Sequence, residues 1–135
     1  MTDEPHISYY GMGAWPAYVG CTTSRKAFKR ELKRLGIAEP VEFLASTHAN
    51  ASTHFFRCEG TLTCIIAFQK VSKDRPVEQV AALVAHEAVH VVQELWSSIG
   101  ETEPGREAEA YLVQMITQCC LQDILDTGRS RKETP

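Results

Sequence analysis

The 135-residue chain predicts an α+β domain, and three observations carry that expectation. Its first half holds short β-rich runs separated by turn signals. At Asp74 the apolar period changes from strand-like to helical. The second half then reads as two helices joined by a Gly- and Pro-containing link. The sheet is expected to be small, twisted and mostly antiparallel, with one helix before it and two after. Residues 1–128 are expected to form the single domain and 129–135 a frayed tail.

The elements follow in order. "AYVGCTT", from Ala17, reads as a strand. Ser24 offers a helix N-cap, and Phe28, Leu32 and Leu35 then recur at helical spacing up to Gly36, a C-cap residue. "VEFLA", Val41 to Ala45, alternates and predicts a strand. "STHFFRC" and "TLTCIIAFQ" flank Glu59–Gly60, and two β-rich runs around a two-residue link ending in Gly predict a hairpin. "TLTCIIAFQ" is the expected edge strand, and Cys58 and Cys64 are candidates to face each other across the hairpin. Pro76 suits a helix start. Val77, Val80, Val84, Val91 and Leu95 then keep helical spacing until Gly100. That run is apolar almost all round, which predicts a helix buried in the middle of the domain. The last helix is expected from about Arg106 to Asp126, with Gly128 past its end.

Composition sets limits on function. A net charge of −3 gives no reason to expect nucleic-acid binding. The charge is uneven, basic over Ser24–Arg34 and acidic over "ETEPGREAEA", and the basic run reads as the solvated face of a surface helix. No apolar stretch reaches membrane-spanning length. The first residues include acids and lack an uncharged apolar core, so no secretory signal is read and a cytoplasmic protein is expected. The five cysteines lack a C-x-x-C pair and are expected as free thiols packed as small hydrophobes.

The chemistry concentrates in "VAALVAHEAVHVVQELW". His86 and His90 stand one helical turn apart, the spacing at which two imidazoles can bind one zinc ion, Zn2+. Glu87 is adjacent and can reach a metal-bound water as general base and acid. On so apolar a helix, two imidazoles and a carboxylate would be costly to bury without an ion. A catalytic zinc takes three protein ligands. No histidine follows His90, so the expected third ligand is a carboxylate of the next helix, where "GREAEAYLVQ" offers Glu107 and Glu109. They lie about 200° apart round a helix, so only one can face the metal. The "GETEPG" link is long enough to bring either back level with His90. His48 and His54 are further candidates to reach the cleft.

"HEAVH" followed by a glutamate on the next helix resembles the gluzincin group of zinc metallopeptidases. The longer string "LVAHEAVHVVQELWSSIGETEPGREAEAYLVQ" resembles a family of small phage and prophage proteins described as metallopeptidases. The resemblance covers about a quarter of the chain. It implies a minimal gluzincin fold, zinc held by His86, His90 and Glu107, and Glu87 as the catalytic carboxylate, acting on a peptide or protein substrate. Tyr111 stands where thermolysin-like members have an aspartate, and its hydroxyl is a candidate oxyanion stabiliser. Two rival readings are a zinc-dependent regulatory or partner-binding module with little general protease activity, and a zinc-stapled interaction domain.

Overall fold

The computed structural model describes residues 6–133, with side chains described as far as Asp126. Four strands and three helices follow in the order β1 (Tyr9–Gly11), β2 (Ala17–Thr22), α1 (Arg25–Arg34), β3 (Ala51–Cys58), β4 (Thr61–Phe68), α2 (Val77–Ile99) and α3 (Arg106–Glu133). The α+β expectation holds. The sheet order is β1-β2-β4-β3, with β2 and β4 parallel and the two outer pairings antiparallel.

Alternation along the strands divides the core into two layers. Leu62, Cys64, Ile66 and Phe68 of β4 join Ala17, Val19 and Cys21 of β2 beneath α2 and α3. Ile65 and Ala67 face the other way, onto Phe28 and Leu32 of α1. Since β4 is covered on both faces, it reads as one continuous apolar run. It is therefore an interior strand, and the edges are β1 and β3. This corrects the expectation that "TLTCIIAFQ" forms an edge.

Local chemistry explains the element ends. The Ser24 hydroxyl accepts from the Ala27 amide at 3.0 Å, and Gly36 takes the left-handed conformation after α1. Glu59 and Gly60 both have positive φ, the type I′ pattern that matches strand twist. Register pairs Cys58 with Thr61 and Cys64 with Phe55, so those two cysteines are not cross-strand partners. All five cysteines are free.

Three further expectations are revised. Val41–Ala45 forms no strand. It is an anchored loop instead: the consecutive Phe43 and Leu44 are both buried in the α1 layer, the Phe43 ring packs edge-on to Phe28 at 5.4 Å, and the Ala45 amide is held by Ser52 Oγ. β1 lies in a stretch where no strand was expected. And α3 runs through Gly128 to Glu133. A single interior glycine costs about 1 kcal/mol of helix propensity, which is too little by itself to enforce a stop. Residues 134 and 135 of the expected tail lie outside the described residues. Among the described residues, no helix is long and apolar enough to cross a membrane.

The α2 helix is not enclosed. Val80, Val84, Ala88, Val91, Val92 and Leu95 line its buried side, whereas His86, Val89 and His90 are exposed. The desolvation argument for a metal therefore does not apply to the two imidazoles, which meet water freely.

Candidate metal centre

One turn of α2 brings the His86 and His90 rings to 4.8 Å between centroids, nearly perpendicular at 77°. Their Nε2 atoms stand 3.2 Å apart. His90 Nδ1 lies 3.1 Å from the Gln93 amide oxygen, one turn further on. With Nδ1–H donating to Gln93, His90 Nε2 is the acceptor and His86 Nε2–H the donor of the bond between the rings. Two nitrogens each about 2.0–2.1 Å from one zinc ion at tetrahedral angles are about 3.4 Å apart. The imidazole pair thus has nearly the separation that a shared cation requires, and Gln93 fixes one ring from behind as an outer-shell partner would.

Glu87 projects on a different side of α2, toward β3, and is 7 % exposed. Thr53 Oγ1 of β3 donates to Glu87 Oε2, so the carboxylate is buried with a partner and in a fixed orientation. Between α2 and the sheet edge lies a cleft of about 250 Å³, lined by Thr53, Phe55, Glu87, His90, Gln93 and Glu94. Across its outer end Arg57 pairs with Glu94 at 2.7 Å, with the two side chains 59 % and 31 % exposed. A pair so open to water contributes about 0–1 kcal/mol, so it can be exchanged for another partner at small cost.

The α3 candidates lie elsewhere. Glu109 Oε2 accepts from the Trp96 indole at 3.0 Å, which sets the register of the α2–α3 hairpin. His90 is six residues before Trp96. That is about 9 Å along the axis and about 120° round it, so the histidines face away from the side that meets Glu109. Glu107 is exposed and lies two residues nearer the link. The link therefore turns α3 back without bringing either glutamate level with His90. Tyr111 is 64 % exposed and does not line the cleft. Among the described residues, no group of three or more His, Cys, Asp or Glu converges as a metal-binding set. The arrangement offers two imidazole nitrogens and an adjacent carboxylate, with no third candidate gathered beside them among the described residues.

The other histidines do not join the site. His54 lies under the opposite sheet face, its Nε2 2.9 Å from the Phe43 carbonyl and its ring 4.7 Å from that of Phe28. His48 is exposed in the loop before β3. The residues missed from sequence are Thr53, Phe55, Gln93 and Glu94. Strand alternation puts Thr53, Phe55 and Arg57 on one face of β3, and Gln93 and Glu94 follow His90 by one helical turn. Both signals were present, but they became useful only once β3 was known to be the edge beside α2.

No family model, curated protein or solved structure matches the chain. The likeness to gluzincins therefore stands on the motif residues alone.

Proposed function

We propose that this chain is a zinc-dependent peptidase in which His86 and His90 hold the metal and Glu87 is the general base and acid. The observation that supports this best is the convergence of the two Nε2 atoms beside a carboxylate oriented by Thr53, at the mouth of a cleft along a sheet edge. Zinc bound there would act as a Lewis acid and bring the pKa of its water toward neutrality. Glu87 would serve as the proton carrier, taking a proton from the attacking water and passing it to the departing amine. Thr53 holds the carboxylate so that its other oxygen is left for this transfer. Among the described residues no strand pairs with the outer edge of β3, and an extended peptide could pair there, the usual mode of strand addition.

A third ligand from α3 rests on zinc's usual three protein ligands; the resemblance selects Glu107, Glu109 is the alternative, and Tyr111 is given no role. A cytoplasmic setting and a peptide or protein substrate belong to the same proposal. A zinc-dependent regulatory or partner-binding module is the second reading, favoured by the lack of a gathered third ligand among the described residues.

The test is zinc content and peptide cleavage in wild type, His86→Ala and Glu87→Gln. The peptidase reading expects about one zinc per chain in wild type and Glu87→Gln, little in His86→Ala, and cleavage only in wild type. Zinc bound without cleavage of any peptide in a broad library would favour the module. Zinc content unaffected by His86→Ala would remove both.

A further inference from the structure

We propose that Glu94 sets the specificity of this cleft by binding a cationic group of the substrate, two or three residues from the scissile bond. The inference rests on the peptidase reading above and names its substrate class. Glu94 lies one turn beyond His90 and seven residues, about 10 Å along α2, from Glu87. Thr53 meets Glu87 and Arg57 meets Glu94, so β3 and α2 run alongside each other with the cleft between them. A peptide extended along β3 advances about 3.3 Å per residue. A residue two or three positions from the reacting carbonyl therefore comes level with Glu94.

The surroundings there suit a cation. Glu94 lines the cleft together with Phe55, and an aromatic ring beside a carboxylate accommodates an ammonium or guanidinium group. Among the described residues Arg57 is the hydrogen-bond partner of Glu94, and it engages Oε1. The Arg57 side chain is the more exposed of the two, so it can swing into water and leave the carboxylate to an incoming group. The cationic group is either a Lys or Arg side chain or the α-ammonium of the substrate chain itself, since both present the same chemistry.

The experiment measures peptide binding in zinc-loaded Glu87→Gln protein, so that it does not depend on turnover. The probes are alanine-based peptides with Lys or norleucine at each position, each with a free and an acetylated N-terminus. The expected result is a roughly tenfold preference for charge at one position, the low end of what close charge pairs give, shrinking as salt is raised. A preference for Lys that survives acetylation identifies the side chain, and one that disappears identifies the α-ammonium. Adding Glu94→Gln should abolish the preference, Glu94→Asp should restore part of it, and Arg57→Gln should keep or strengthen it by freeing the carboxylate. Equal losses in Glu94→Gln and Arg57→Gln would show that the pair is only a brace and overturn the proposal. Binding without charge preference would overturn it and leave the peptidase reading standing. Failure to bind any peptide, together with failure of wild type to cleave any, would remove both.

Discussion

At the scale of single residues, the motif was legible because its information is local. Two histidines four apart on a helix share a face whatever the rest of the chain does, and the 3.2 Å between their Nε2 atoms needs only one helical turn. What orients Glu87 was not legible, because its partner Thr53 is 34 positions away. That contact yields a prediction. Thr53→Val keeps the shape of the side chain and removes the donor. It leaves Glu87 nearly buried without its hydrogen bond, which costs about 1–3 kcal/mol of stability. Under the peptidase reading, zinc content should stay at the wild-type level while kcat falls roughly tenfold or more, because general acid–base catalysis contributes about 10²–10⁴-fold and depends on the carboxylate's orientation. Zinc analysis and steady-state kinetics check this. An unchanged kcat would show that Thr53 is structural only. The position of the α3 glutamates was least legible, since it depends on how the α2–α3 link turns, and the Trp96–Glu109 contact that records this has no signature in either helix alone.

At the scale of elements, the hairpin, α1 and α2 followed from period and punctuation, as consistent local signals should. The failures have a common cause. Val41–Ala45 alternates in sequence but not in burial, since the adjacent Phe43 and Leu44 plug the layer beneath α1 while Ala45 is exposed, and nothing in five residues separates a plug from a strand. β1 is three residues long and exists because β2 offers it an edge. Its fit depends on Gly20, where an added Cβ would come within 2.6 Å of Ile7 Cγ2 and 2.8 Å of the Ser8 carbonyl oxygen. Gly20→Ala must therefore push β1 away from β2. Overpacking of this kind costs typically 1–3 kcal/mol, and a denaturant midpoint shift should report it. Amide exchange should rise most in β1, which has a single neighbouring strand. Uniform exchange across the sheet would mean that the strain is shared instead. Gly60→Ala tests the opposite end of the sheet. No atom crowds that position, so its cost comes only from the positive φ, about 1–2 kcal/mol for an L-residue held there.

At the scale of the whole molecule, β1 ties the two helical layers together. The Tyr9 hydroxyl donates to Glu31 of α1 at 2.7 Å. The Tyr10 hydroxyl, on the opposite face, donates to Asp123 of α3 at 2.8 Å. The two carboxylates respond to pH in opposite senses. For Glu31, burial alone would raise the pKa, but hydrogen bonds from Arg34 and Tyr9 outweigh it and hold the group below its usual 4.5. Its stabilising contribution is therefore full above 4.5 and is lost as pH falls through the lowered folded value. For Asp123, burial pushes the carboxyl above its usual 3.8 despite the Tyr10 hydrogen bond, with Asp126 adding to the rise. Its contribution is full below 3.8 and is lost as pH rises through the raised folded value, so near neutrality the ionised Asp123 lowers stability. Two variants should separate these effects in melting temperatures measured from about pH 3 to about pH 8. Glu31→Gln should be less stable than wild type near neutrality, with the gap closing on acidification below 4.5. Asp123→Asn keeps an acceptor for Tyr10 and removes the charge. It should match or exceed wild type near neutrality and lose that advantage as pH falls toward 3.8. If Asp123→Asn is instead least stable near neutrality, the ionised carboxylate is serving as the stronger acceptor for Tyr10, and the attachment of α3 to the sheet edge depends on that charge.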